Sequence, residues 1–244
     1  MKALIATYLR ELRAYFFSPL AYAIGTFVLI VNGILFGIIV SFLADPRSAG
    51  GPPFEYFFNM TWIVLLFITP LLTMRLISEE RRSGSIEVLM TAPVTEAQVV
   101  VGKYLAVFTF FFSLWLPTLL FAAIVDTYGD LDWGSVLSGY LGVLGVGALA
   151  LAIGTLASAF TRSQIVAGVI GFALLFVFFF VFGWMESLSN SELLKRLFGY
   201  LNVGGPIQDY ARGIVGTRSL LYYVSTTVFF LFLASRVLEA KKWR

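Results

Sequence analysis

Apolar residues along this chain gather into six stretches that contain no charged side chain: Leu20 to Ala44, Tyr56 to Met74, Tyr104 to Val125, Trp133 to Thr161, Ser163 to Met185 and Ser219 to Ser235. A helix needs about 20 apolar residues to cross the hydrocarbon core of a bilayer. Open strands would leave backbone N–H and C=O groups unsatisfied in lipid, so the pattern predicts six membrane-spanning helices, over 20–44, 56–74, 104–125, 133–161, 163–185 and 219–235.

Ahead of the first stretch, Leu4, Ile5, Tyr8, Leu9, Leu12, Tyr15 and Phe16 recur at spacings of three and four, with Lys2, Arg10, Glu11 and Arg13 assigned to the opposite side. This predicts an interfacial amphipathic helix over 1–18, ended by Pro19. A cleaved signal peptide fits less well, because the apolar run that follows is too long and no small-residue cleavage motif comes after it.

Lys and Arg counted over alternate connections give twelve on one side (Lys2, Arg10, Arg13, Arg75, Arg81, Arg82, Lys103, Arg162, Arg236, Lys241, Lys242 and Arg244) against five on the other (Arg47, Lys195, Arg196, Arg212 and Arg218). The asymmetry predicts a multi-pass membrane protein with both termini in the cytoplasm. On the outer side, Gly50, Gly51, Pro52 and Pro53 mark a turn-rich loop, and 126–132 is short and acidic. Ser189 and Glu192 have the spacing of a capping box, and Gly204, Gly205 and Pro206 follow, predicting one or two short helices between spans five and six. Gly33 and Gly37 in span one, and Ala150, Gly154 and Ser158 in span four, are small residues at four-residue spacing, read as ordinary helix packing within one subunit.

Composition narrows the chemistry. The chain is 59% hydrophobic and 13% charged, with no His and no Cys, which removes imidazole and thiolate metal sites, Cys–His and Ser–His nucleophile pairs, and disulfides. The net charge of +3 is spread between apolar segments rather than gathered on one face, so nucleic acid is not a predicted partner. A secondary carrier would place ionisable groups inside the spans, and an intramembrane protease would need a nucleophile and a base there; the six stretches hold no charged residue, and no His, Lys or Asp to serve as the base. Asn32 is predicted to bond a neighbouring helix, and the Phe-rich run Phe176 to Phe182 is read as lipid-facing surface. The one candidate P-loop pair, Gly102 and Lys103, fails twice, with Ala97 in place of the first glycine and Tyr104 in place of the hydroxyl residue; Lys103 is read instead as an interfacial anchor.

The longest inner connection, Arg75 to Lys103, carries mixed charge and two helix starts. Ser83 is placed to cap a short helix containing Ile86, Glu87, Leu89 and Met90, stopped by Pro93; Thr95 and Gln98 form a capping box for the helix that runs into span three. Such a short helix either docks in a groove on a soluble partner or lies on lipid headgroups.

At these residues the chain resembles the ABC-2-type permeases, and within them the gliding-motility-type branch. The resemblance rests on Glu79, Glu80, Arg81, Arg82, Gly84, Ser85, Glu87, Leu89, Pro93, Gly102 and Lys103, with Ser85 where Thr is more usual, and extends weakly through LPTLLF in span three and the residues around Arg162. It implies a single transmembrane domain over 1–244, an all-α polytopic fold with a cytoplasmic coupling helix between spans two and three, and no catalytic site of its own. It also implies that Glu79, Glu80, Arg81, Arg82, Gly84, Ser85, Glu87, Leu89 and Pro93 couple the chain to a nucleotide-binding subunit that holds ATP and Mg. A second permease copy or homologue is implied, and a membrane-anchored extracytoplasmic subunit whose docking segment would be Met185 to Arg218. The function so implied is the permease half of an ATP-driven exporter. The alternatives are an ATP-independent secondary transporter and a structural membrane subunit.

Overall fold

The computed structural model describes residues 2–45, 50–84 and 95–242, and among these residues the regular structure is entirely helical. The helices are α1 (Lys2–Phe16), α2 (Pro19–Leu43), α3 (Pro53–Thr73), α4 (Ser78–Ser83), α5 (Glu96–Trp115), α6 (Leu119–Tyr128), α7 (Trp133–Phe160), α8 (Gln164–Phe176), α9 (Phe182–Leu188), α10 (Glu192–Leu201), α11 (Gly205–Ala211) and α12 (Thr217–Lys242). Six helical stretches, one on each uncharged segment of the sequence, are long and apolar enough to cross a membrane. One of them, Pro53–Ser83, turns between α3 and α4, and two others are interrupted within their apolar length. A 3-10 turn at Leu116–Thr118, containing Pro117, separates α5 from α6, and a π turn at Val177–Val181 separates α8 from α9.

The centre of the bundle is α7, and its glycines explain why. A Cβ at Gly139 would lie 2.1 Å from a Phe58 ring carbon, one at Gly147 would lie 2.3 Å from Phe111, and one at Gly154 would lie 2.2 Å from the Thr73 hydroxyl. Side chains of α3 and α5 therefore rest directly on the α7 backbone, the close approach that drives helix association in lipid. An aromatic cluster closes the same core: Phe36 stacks on Phe121 at 4.8 Å, and Phe58 meets Tyr140 edge-on at 5.2 Å. Gly33 and Gly37 of α2 have open space where a Cβ would stand, so that GxxxG pair packs against nothing described, whereas Gly154 and Ser158 pack within the subunit.

Three local readings are corrected. Asn32 donates to the Val28 carbonyl of its own helix at 2.9 Å, because the buried amide reaches the preceding turn before any neighbour. The Ser189–Glu192 capping box does not form: α10 begins after Ser191, and the Ser189 hydroxyl donates to the Ser191 carbonyl at 3.3 Å. The Phe-rich run is not simply lipid-facing, since Phe178, Phe179 and Phe180 pack against the core and Phe180 lies 4.6 Å from Trp62. The π turn has an identifiable partner, with the Val203 N–H donating to the Phe178 carbonyl at 3.5 Å and tying the α10–α11 segment to the interrupted span.

We call the end of the bundle that carries α1 and α4 the α1 end, and the end that carries α10 and α11 the opposite end.

Candidate functional site

The α1 end is built on a helix laid along another helix. A Cβ at Gly102 of α5 would stand 3.2 Å from the Leu4 carbonyl and from Thr7, so only glycine lets α1 approach this closely. Tyr8 bonds Thr109 of α5 at 3.2 Å, and the buried Tyr15 hydroxyl donates to the Leu72 carbonyl of α3 at 2.7 Å while Arg75 sits over its ring at 5.1 Å. Burial holds the Tyr15 phenol well above its ordinary pKa, so it keeps the proton that it donates. The apolar stripe of α1 is thus divided. Tyr15 is buried on protein, while Ile5, Leu9 and Phe16 remain exposed.

Glu11 is not on the opposite face, which corrects the sequence reading. It stands three residues after Tyr8 and four before Tyr15, so a 3.6-residue period carries it onto the side that meets α5. There it completes a ring of four charges from three helices. Lys103 Nζ of α5 lies 2.9 Å from Glu11 and 3.0 Å from Glu80 of α4, and Arg10 Nη2 lies 2.8 Å from Glu11 and 2.6 Å from Glu80. Each carboxylate contacts both cations, and the ring sums to zero charge. Burial opposes ionising Glu11, yet Lys103 and Arg10 outweigh it and hold its carboxyl below the ordinary value. Burial likewise pulls Arg10 down, and the two carboxylates more than restore it.

Lys103 is the second correction. Its side chain is 1% exposed, so it is not an anchor reaching for headgroups; it is the buried centre of the ring. An ammonium that deep is tolerated because its attraction to two carboxylates offsets the lost hydration.

A second attachment holds α4. The chain turns between α3 and α4, leaving backbone groups without helical partners. The Ser158 hydroxyl of α7 accepts from the N–H groups of Ile77 at 3.0 Å and Ser78 at 3.1 Å, and donates to the Met74 carbonyl at 3.2 Å. Arg81 Nη1 donates to the Ala159 carbonyl at 2.6 Å, in the last turn of α7, where unpaired carbonyls favour a cation.

The site residues named from sequence divide accordingly. Glu80 and Arg81 make the contacts just described; Glu79 and Arg82 are exposed. Gly84 ends α4 at φ 72°, a left-handed conformation that glycine adopts without strain. Ser85, Glu87, Leu89 and Pro93 lie outside the described residues, as does the short helix assigned to that segment. Thr95 and Gln98 form the capping box at the start of α5, with both bonds at 3.3 Å. Arg10, Glu11, Lys103 and Ser158 belong to the site without having been assigned to it. For Glu11 the signal was its helical register; for Lys103 it was a charge with apolar neighbours on both sides.

The ring therefore joins α1 to the two helices that flank 85–94, and Ser158 and Arg81 fix one of those flanks to the central helix.

Comparison with known proteins agrees with this architecture. The chain is 29% identical over 184 residues to the ABC transporter permease protein NatB of Bacillus subtilis (strain 168), a match covering 67% of this chain and 47% of that protein. It spans about half the length of that relative. Residues 48–242 match the family of ABC-2 family transporter proteins. On that match, together with its six apolar helices, this multi-pass membrane protein belongs to the ABC-2 transporter family.

Proposed function

We propose that the chain is the membrane-spanning permease subunit of an ATP-driven exporter, and that the α1 end is where it receives work from a separate nucleotide-binding subunit. The observation that carries this reading is the charge ring, which ties both flanks of 85–94 to α1. A partner seated on that connection would push on three helices at once, and through Ser158 and Arg81 on α7 as well. ATP and Mg are bound by the partner, and Glu79, Glu80, Arg81, Arg82, Gly84, Ser85, Glu87, Leu89 and Pro93 form the coupling segment. The ATPase biases a bundle with two discrete arrangements.

The excess of Lys and Arg on the α1 side supports a cytoplasmic location for that end and for both termini, in a bacterial inner membrane. The whole chain forms one transmembrane domain, of the gliding-motility-type branch, and functions with a second permease copy or homologue. A membrane-anchored extracytoplasmic subunit would dock on the segment from Met185 to Arg218, which includes the exposed α10.

The test is partnership. Expressed with the products of neighbouring genes, the chain should co-purify with a soluble ATPase, and Glu87→Ala with Leu89→Ala should abolish that association while leaving the permease in the membrane. A wild-type chain that captures no ATPase, or variants that bind it unchanged, would overturn the proposal.

A further inference from the structure

Span five ends in a hairpin at the opposite end. After the π turn at Val177–Val181, α9 runs to Leu188, the chain reverses, and α10 returns to Leu201. The two helices hold each other. Phe182 of α9 stacks on Phe198 of α10 with ring centroids 6.3 Å apart. Gly199 leaves the room that Glu186 fills, since a Cβ there would stand 2.9 Å from the Glu186 carboxylate. That carboxylate accepts from the Asn202 amide at 3.2 Å, and the Asn202 side-chain oxygen accepts from the Gly204 N–H at 3.1 Å. Among the described residues, none of α9 or α10 is buried.

Both ends of the hairpin reach the bundle at one place. The Val203 N–H, just past α10, donates at 3.5 Å to the Phe178 carbonyl in the π turn, just before α9. The Val203 carbonyl accepts from the Tyr223 hydroxyl of α12 at 3.2 Å. Val203 is 2% exposed, and Tyr223 lies so close to α7 that a Cβ at Gly145 would stand 2.7 Å from its ring. The two backbone groups of one buried residue therefore pin the hairpin to span five on one side and to span six on the other. Arg218 of α12 also sits over the Tyr200 ring at 4.5 Å, within one turn of the same point. Hinges form at element ends, where a few residues absorb the change in backbone angle. The π turn, with its irregular i→i+5 bonding, and the 202–204 connection are two such ends side by side.

We propose that α9 and α10 form a flap that swings as one body about the Phe178–Val203 joint, held closed by the Val203 N–H and the Tyr223 hydroxyl. The swing keeps the contacts within the hairpin, uncovers no buried side chain of either helix, and breaks only the contacts at the joint. It is independent of ATP coupling, so either reading can fail alone.

Spin labels test the flap in the full chain, which has no cysteine of its own, reconstituted in lipid nanodiscs. Leu193→Cys with Leu137→Cys of α7 spans from flap to core, and Trp184→Cys with Leu193→Cys lies within the flap; all three positions are exposed. With the joint intact, the flap-to-core pair should give one main distance and a minor longer one. Val203→Pro removes the N–H, next to an extended Asn202 (φ −71°, ψ 105°) that suits a following proline. Tyr223→Phe removes only the hydroxyl. Each should raise the population of the longer distance about fivefold, the factor that one hydrogen bond carries, while the pair within the flap keeps its distance. Tyr223→Phe decides where Val203→Pro does not fold. A flap-to-core distribution unchanged in folded Tyr223→Phe, or a pair within the flap that broadens along with it, would overturn the proposal.

Discussion

Both ends of this bundle carry ion pairs between the same residue types, and they differ in what surrounds them. At the α1 end, Lys103 is 1% exposed, Glu11 and Glu80 are 15% and 17% exposed, and each acid contacts two cations. At the opposite end, Arg196 and Glu192 pair at 3.4 Å with side chains 78% and 90% exposed, and Arg212 reaches Glu55 at 2.7 Å with 60% and 25% exposed. Exposed pairs are weakened by water, salt and side-chain entropy. Buried ones become obligatory, because removing one member strands the other. The α1 end is therefore a joint fixed by buried charge, while the opposite end carries exposed pairs that water weakens.

Substitutions should separate the two ends by size of effect. The largest belongs to Lys103→Met, which leaves Glu11 and Glu80 facing each other with only the half-exposed Arg10 between them. It should destabilise the chain by about 3 kcal/mol, read as a lowered midpoint of thermal unfolding in detergent. Next is Ser158→Ala, which strips the acceptor from two backbone N–H groups and should cost about 2 kcal/mol in the same assay. A smaller and graded effect should come from pH. Glu11 has its folded pKa below its ordinary 4.5, so the stability it contributes is present above that value and is lost as pH falls through the lower folded pKa. A spin label on Ala14→Cys, clean because the chain has no other cysteine, should gain mobility only below about pH 4.5 and should already be mobile at pH 7 in Glu11→Gln. The smallest effect belongs to Arg196→Ala at the opposite end, below about 0.5 kcal/mol by the same unfolding measurement. A larger loss there than at Lys103 would reverse the comparison.

The spans were legible because lipid forbids charge over a fixed length, a rule that composition alone can meet. Pro19 at the first position of α2 and the Thr95–Gln98 box were legible because caps and proline act over three or four residues. The ring was only half legible. Glu80 came from its place in a family-like loop, but its partners are Arg10, 70 positions away in sequence, and Lys103, and tertiary pairing leaves no local mark. Lys103 at a span boundary looks the same in sequence whether it rises to the headgroups or turns inward. Ser158 stood out as a small residue, yet its function is to satisfy backbone groups freed by a break in another helix, 80 and 81 positions away. The π turn carries no proline or glycine signal, and the Val203 N–H that meets its Phe178 carbonyl comes from a distant segment.

The central claim is that a partner ATPase moves this bundle through the charge ring. Spin labels on Ala14→Cys in α1 and Val228→Cys in α12 report that movement in the assembled complex, with distances compared before and after ATP is added. The account predicts a shift with Lys103 present, a reduced shift in Lys103→Arg, and none in Lys103→Met even though the ATPase remains bound. An undiminished shift in Lys103→Met would contradict it.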